Sequence, residues 1–467
     1  MGEEENIEKE LKETLFKFES GLKTETSSFF TLKDILSVYD YYFFKGNNDK
    51  AIRALTIAKE QHPYSADPYV KEAELQLFFG NLEKAKSLIE KAKIFEPNGE
   101  EIFHLEVECL VQGKKIEEAI TLLYSGLAHF ENKTELFSYI LEICESNHKY
   151  LEAIECLKKW AIEDEQSDFL HFEIARFYIK ADKVNDGIKY FNSRINEDPY
   201  NSLLWAELGG LYEEQDDIPK AIWAFEYSTI TSDNFYAGHL NLANCLLNID
   251  ELDKMKEQLD IANGIMPDSS ELHLLYARYY KEKSNYTTAK KHLLKSIDLN
   301  DALPESWYEM GLTLKEMGSF SDALPYFKTA FNLLPTDEEY AIDYFHAENM
   351  VLGINSAIQV YEKAKLDQEN NIEFFQTVAL ILCKEECFEK AAEVLLKDVE
   401  SKSLLNAECF YILAAIQFEL QNPSLGESYL LDGLSANYKQ HGILFEASSL
   451  LEFDKKIQNT INIFRNE

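Results

Sequence analysis

Basic residues are scarce in this chain. Its 467 residues include 46 Lys+Arg against 83 Asp+Glu, a formal net charge of −37. A summed field of that sign repels phosphate backbones and anionic lipid surfaces. It argues against nucleic acid and membrane as partners and towards proteins or peptides with basic segments. The same acidity also keeps a long chain soluble, so charge alone does not choose between the two readings. Long apolar runs are missing as well. Val378 to Cys383 is among the longest, far short of the roughly 20 residues a membrane-spanning helix needs. The seven cysteines are odd in number and scattered, which is no disulfide framework. The opening MGEEENIEKE has neither the basic start nor the apolar core of a secretory signal, and Asn6 stands where a myristoylation signal has Ser or Thr. The expectation is a cytoplasmic protein, in which the Asn-x-Thr triplets at Asn132 and Asn285 carry no glycan.

Motifs of catalysis are absent too. There is no phosphate-binding glycine loop, dinucleotide fingerprint, His-Glu-x-x-His or Gly-x-Ser-x-Gly. No segment alternates with the period of a strand over a useful length. What is present is apolar content, 46% hydrophobic and 13% aromatic, too much for a disordered chain. It recurs at i, i+3, i+4 and i+7, the helical spacing.

The apolar residues also recur on a longer scale. Trp205 is followed by Leu208, Gly209, Tyr212, Ala221 and Phe225. Trp307 is followed at matching offsets by Gly311, Ala323 and Phe327, then by Ala330 and Pro335. Steps of 34 residues place large anchors at Ile35, Tyr69, Phe103, Phe137, His171, Trp205, His239, His273 and Trp307, then Ala341 and Phe375. One extra residue gives a twelfth at Phe410. Sixteen residues after each anchor stands a small one: Ala51, Ala85, Ala119, Ala153, Gly187, Ala221, Ala289, Ala323, Ala357, Ala391 and Gly426, with Met255 the exception. Two helix backbones approach closely only where such a side chain separates them. Met255 therefore predicts a wider crossing.

On these residues the chain resembles the tetratricopeptide repeat family over roughly residues 31–437. The resemblance implies an all-α superhelical solenoid of about twelve helix–turn–helix repeats plus capping helices. Residues 1–30 read as an amphipathic leading helix (Ile7, Leu11, Leu15, Phe18, Leu22) and a polar linker, a segment also able to fold back into a groove. Residues 438–467 read as capping helices: Ile443, Leu444, Ala447 and Leu451 on a first, Ile457, Ile461 and Phe464 on a second. Around residues 341–350, Ala341 replaces a large anchor while Tyr344 and Phe345 add bulk, so a departure from regularity is expected there.

The family implies that the first helix of each pair lines a concave face where extended peptides bind. The side chains at risk lie one, five, and eight or nine places after each anchor. Five places on, the series opens with four carboxylates: Asp40, Glu74, Glu108 and Glu142. Such a row suits a Lys/Arg-rich segment, although a chain this acidic also produces such runs by chance. Further along come Arg176, Lys180, Asn244, Asn248, Arg278, Lys281, Lys315 and His346. His104, Phe78 and Tyr308, with Phe43, are candidate contacts for a bound chain, each equally at home in local packing. No residue immediately after an anchor is Lys or Arg, which excludes the family's clamp for chaperone tails.

His171, His239 and His273 are anchors and are expected to pack rather than bind metal. His104 and Glu108, with Cys109 adjacent, lack a third ligand. The Cys383–Cys387 pair reads as buried thiols, and Asp343 with His346 has no nucleophile nearby. Neither cofactor nor metal is expected, and the reading is a non-enzymatic adaptor binding a protein segment. The rivals are a structural protein acting by self-association and, more remotely, a regulatory part of an enzyme.

Overall fold

The protein is described by a computed structural model covering residues 2–24, 28–163, 168–368, 371–399 and 405–465. The described residues form 27 α-helices and no strand, so the all-α repeat reading holds. They divide into two compact units, Met1–Ser193 and Arg194–Glu467. The first unit opens with α1 (Gly2–Thr24). Pairs follow: α2 (Leu32–Phe44) with α3 (Asn48–Gln61), α4 (Asp67–Phe78) with α5 (Leu82–Phe95), α6 (Glu100–Gln112) with α7 (Ile116–Gly126), and α8 (Lys133–Ser146) with α9 (Tyr150–Glu163). A fifth pair, α10 (Asp168–Lys180) and α11 (Val184–Glu197), ends in the second unit's opening residues.

The second unit continues with α12 (Ser202–Glu214) and α13 (Ile218–Thr231), α14 (Tyr236–Asn248) and α15 (Leu252–Ile265), α16 (Ser270–Glu282) and α17 (Tyr286–Leu299), and α18 (Pro304–Glu316) and α19 (Phe320–Leu333). Then come α20 (Glu338–Leu352) and α21 (Ile354–Ala364), α22 (Ile372–Lys384) and α23 (Phe388–Glu393), and α24 (Ala407–Glu419) and α25 (Pro423–Asn437). After α23 a π-helical turn, Val394–Val399, carries the chain on. The short α26 (Gly442–Ala447) and α27 (Lys455–Arg465) complete the described chain.

Each pair is folded by the same local devices. Side-chain oxygens start many first helices: Thr31 accepts from the Asp34 amide, Asn201 from Leu203 and Leu204, Asp337 from Tyr340. The turn within a pair is stopped by one residue in the left-handed region. Its amide donates three residues back and the next amide five residues back, as in Gly46 to Phe43 with Asn47 to Tyr42. The same two bonds recur from Lys114 to Val111 with Lys115 to Leu110, and from Asp216 to Glu213 with Asp217 to Tyr212. The left-handed positions are Gly46, Gly80, Lys114, His148, Asp182, Asp216, Asp250, Ser284, Gly318, Gly353, Glu386 and Gln421. The period of the sequence is thus repeated in the backbone angles.

The crossing within a pair follows from the small residues. Ala51, Ala85, Ala221, Ala289 and Ala323 have no exposed surface, and neither does Met255. Gly209 and Gly311 leave room for the aromatic of the second helix. A Cβ added to Gly209 would lie 2.6 Å from a Phe225 ring carbon, and one on Gly311 would lie 2.7 Å from Phe327. The anchors do more than fill space. The Trp205 Nε1–H donates to the Pro199 carbonyl (2.9 Å) and that of Trp307 to Asp301 (2.8 Å). His239 makes the same bond from Nε2 to Asp233 (3.1 Å). A carbonyl only accepts, so that nitrogen carries the proton. Histidine stands in for tryptophan because both put a ring N–H within reach of the preceding turn. His171, His239 and His273 are all buried.

The leading helix packs on the first pair. Phe18 is buried among Ile35, Val38 and Tyr42, while Glu19 accepts from the Tyr42 hydroxyl (2.7 Å) and pairs with Lys50 (2.6 Å). The Ile7 side chain and residues 25–27 of the linker lie outside the described residues. The helix through 341–350 is unbroken. The departure expected there falls one turn later, where α20 runs on to Leu352, Gly353 turns the chain at φ 88° and α21 is correspondingly short. One expectation at the far end needs correcting. The stripe from Ile443 to Leu451 is not one helix, because Ser448 is extended and its hydroxyl bonds the Glu419 carboxylate. Leu451 lies in a separate 3-10 turn.

Candidate functional site

The first helices of the early pairs place three of the four candidate carboxylates around one cavity of about 700 Å³. It is lined by Asp40, Glu74 and Glu108, by Tyr39, Phe43, Phe44, Leu77 and Phe78, and by Lys71 and Gln112. The offset of five from each anchor brings Asp40, Glu74 and Glu108 to the same face of α2, α4 and α6. The aromatics follow from the last turn of α2 and α4. Phe43 lies edge-on to Phe78 at 5.7 Å and stacks on Tyr39 at 5.8 Å. Phe78 is 72% exposed and Phe44 85%.

The polar part of the cavity is partly neutralised. Tyr39 donates to the Lys71 carbonyl (3.1 Å), fastening α2 to α4. The Lys71 ammonium lies 3.1 Å from both oxygens of Glu74 and 3.0 Å from Glu101. Burial pushes the Glu74 carboxyl above its usual range, and Lys71 offsets only part of that push. Burial also raises the Tyr39 phenol to about 12, with Glu74 and Asp40 adding to it. Among the described residues Asp40, Glu108 and Glu142 make no ion pair; burial raises the Asp40 carboxyl and the nearby Lys71 opposes that rise, while Glu108 accepts from the Gln112 amide (2.9 Å). Glu142 stays exposed on α8 outside the cavity. Tyr139 has its phenol raised by burial, then by Glu108 and Glu142, and His104 lies beside that ring at 6.0 Å.

The later candidates are placed differently. Arg176 is held by Glu145 (2.8 Å) and Glu173, and Lys180 also reaches Glu145. In the second unit, Asn244 donates to Glu213 (3.2 Å), while Asn248 is exposed at the end of α14. Arg278 and Lys281 converge on the buried Glu309 at 2.7 and 2.6 Å. Tyr308 donates to Asp343 (2.8 Å), whose other oxygen takes Lys315 (2.7 Å). His346 is half-buried beside Phe320. Burial lowers its pKa, Lys315 lowers it further, and Asp343 opposes both. These basic groups knit one repeat to the next, so their charge is already spent within the chain.

The sequence reading passed over Phe44, Lys71 and Glu101, and the acceptors Glu145, Glu173 and Glu309; it weighed Asp343 only beside His346. Lys71 was readable only as a charge two places after an anchor. Nothing in its spacing marks it as the cation that neutralises Glu74. Cys109 directs its thiol to the Leu82 carbonyl (3.9 Å), away from any third ligand. Among the described residues no group of three or more His, Cys, Asp or Glu is placed to hold a metal ion. Nor is any of their helices long and apolar enough to cross a membrane.

No family model matches the chain. It is 22% identical over 121 residues to anaphase-promoting complex subunit 3 of Schizosaccharomyces pombe, a match spanning 26% of this chain and 18% of that protein. Among solved structures it is similar to the APC/C hetero-tetramer Cut9–Hcn1, at 12% identity and a TM-score of 0.44. That match covers 96% of this chain and 95% of the other. Yeast Tom70 is similar at 14% identity and a TM-score of 0.39 over 79% and 99%. These likenesses are distant, and the assignment is carried by the chain's own 34-residue period, its paired helices and its repeated turn. On that evidence the described chain is built of tandem helix–turn–helix pairs, and its 34-residue motif resembles the tetratricopeptide repeat.

Proposed function

We propose that the chain is a protein-interaction scaffold, and that its early repeats bind an extended, basic segment bearing at least one large apolar side chain. The observation that carries this is the cavity where Glu108 and Asp40, neither in an ion pair among the described residues though Lys71 lies near Asp40, meet the exposed rings of Phe44 and Phe78. Carboxylates beside aromatic faces suit a lysine or arginine twice over, by charge and by cation–π contact. An apolar side chain of the segment would cover Phe78, and many weak contacts along an open surface would supply the rest. The half-neutralised Glu74 serves as part of the wall, and its bond to Lys71 keeps that cation from repelling the ligand.

The test is fluorescence anisotropy with a labelled Lys/Arg-rich peptide carrying a single phenylalanine. Phe78→Ala is expected to weaken binding about tenfold, the equivalent of about 1.4 kcal/mol. The double change Asp40→Asn with Glu108→Gln is expected to weaken it comparably and to flatten its salt dependence. Glu60→Gln, an exposed acid on α3, should change nothing. Equal binding by all four proteins would remove the cavity from the account.

A further inference from the structure

Four anchors are followed two places on by a carboxylate: Glu173, Glu207, Glu309 and Asp343. Three of the four are held by cations of the chain itself. Glu309 takes Arg278 (2.7 Å) and Lys281 (2.6 Å), which stand five and eight places after the anchor His273. Asp343 takes Lys315 (2.7 Å), again eight places after an anchor, and Glu173 takes Arg176 (3.1 Å). Glu207, on α12, is the exception. It is half-buried and makes no ion pair or hydrogen bond among the described residues. Burial alone pushes its carboxyl up to about 7, with no neighbouring cation to oppose the rise. We infer that Glu207 receives the lysine or arginine side chain of a bound protein segment, which brings from outside the cation that the sibling repeats carry within. This rests on the scaffold reading and on no part of the early cavity.

The surroundings fit that occupant. Neither α12 nor α14 contains Lys or Arg, while α12 carries Glu213 and Glu214 besides Glu207. Glu213 accepts from the Asn244 amide (3.2 Å) and meets no cation among the described residues. The cation of the connecting helix α13, Lys220, already pairs with Asp217 (2.5 Å). Gly210 lies one turn along from Glu207 on the same face. A Cβ placed there would meet nothing within 4 Å, so a side chain has room beside the carboxylate. One carboxylate offers too few oxygens to hold a divalent ion. A lone ion pair open to water is also weak, so a free amine would be held poorly and the cation must arrive on a chain with contacts of its own. Asn241 and Asn248 of α14 are exposed, and each amide can donate to and accept from the peptide groups of such a chain.

The experiment is fluorescence anisotropy with a labelled peptide of alternating glycine and lysine. The full chain carries Asp40→Asn and Glu108→Gln throughout, so that the early carboxylates do not compete. Adding Glu207→Gln, which removes charge at nearly constant shape, is expected to weaken binding about tenfold. Gly210→Leu, which fills the space beside the carboxylate, should weaken it comparably, and Glu60→Gln should leave it unchanged. Glu207→Lys should lose the lysine peptide and gain one of alternating glycine and glutamate. Urea unfolding separates a binding role from a structural one. With no partner inside the chain, Glu207→Gln should unfold at the native urea concentration or above it. Glu309→Gln, which strands Arg278 and Lys281, should unfold at a lower one. Unchanged peptide affinity in Glu207→Gln overturns the inference, and so does an unfolding midpoint lowered as far as that of Glu309→Gln. Spermidine binding as tightly as the peptide, with the same dependence on Glu207, would overturn the segment in favour of a free amine. The early cavity is read separately, through Phe78 and the phenylalanine-bearing peptide, so either reading can fall while the other stands.

Discussion

Eight turns of this chain hold an L residue where the backbone favours glycine. Lys114, His148, Asp182, Asp216, Asp250, Ser284, Glu386 and Gln421 all have φ between 53° and 60°. At Gly46, Gly80 and Gly318 the same angle is taken by glycine, and an added Cβ there would meet nothing within 4 Å. Space is therefore not the reason for those glycines; the backbone angle is. A left-handed L residue costs roughly 1–2 kcal/mol, and glycine gives back part of that through the freedom of the unfolded chain. Lys114→Gly and Glu386→Gly are each expected to raise stability by about 0.5–1 kcal/mol in urea unfolding. Glycine at Glu118, exposed within α7, should instead lower it by about 1 kcal/mol. Loss of stability at Lys114 would mean that the turn is held by its side chain. Three of these positions were legible in the sequence as glycines 34 or more residues apart. The rest were not, because Asp, Lys and Glu are common at surfaces for other reasons, and the hydrogen bonds that force the angle leave no mark on composition.

Between elements, the contact most exposed to conditions joins α16 to α17. His273 and His292 face each other with their Nδ1 atoms 3.0 Å apart. One Nδ1 must donate and the other accept, so at least one ring is neutral and the bond cannot survive both being protonated. Tyr276 and Tyr280 stack on His292 from α16. Lys256 and Asp260 approach from α15, where Asp260 accepts from the Tyr276 hydroxyl, and Lys295 pairs with Asp268 nearby. Burial pulls His292 down to about 4, helped by His273 and then Lys295. Burial also lowers His273. A lowered folded value means that the unfolded chain binds protons first as pH falls. The contribution is complete above about pH 6.5, the unfolded value, and is lost as pH drops from there towards 4. The expected loss by pH 5 is on the order of 1 kcal/mol, given that His292 is only half-buried. Carboxylates titrate over part of the same range, so the measurement is the difference between the native chain and His292→Phe. The two should converge or cross as pH falls from 7 to 5; parallel curves would show that the pair does not titrate with folding. The sequence marked His273 as an anchor through its place in the repeat. It could not mark His292 as its partner, since that position has no fixed character across the repeats, being Gln258 in the repeat before and Tyr326 in the repeat after.

Over the whole chain, the repeat was legible because the close crossing in all pairs but the one at Met255 sets a small residue against an anchor helix every thirty-four or thirty-five residues. The candidate site was legible in its acids, through the constant offset of Asp40, Glu74 and Glu108. The fate of the basic residues was not. Arg278 and Lys281 meet Glu309 at separations of 31 and 28 residues, and Lys315 meets Asp343 at 28. These separations all fall short of the period and belong to side-chain reach rather than to the repeat. Their consequence is an asymmetric response to salt. Paired charges at 2.6–2.7 Å lie well inside the screening length of about 8 Å at physiological ionic strength, so added salt weakens them little. The excess of acid behind the net charge of −37 acts over longer distances and is screened strongly. Repulsion should therefore fade faster than attraction. The melting temperature is expected to rise with sodium chloride, an ion pair chosen to avoid the general stabilisation that sulfate brings. Scanning calorimetry across a salt series reads this directly. A midpoint that falls with salt would show the ion pairs between repeats outweighing the self-repulsion of the chain, and Glu309→Gln should then remove most of that fall.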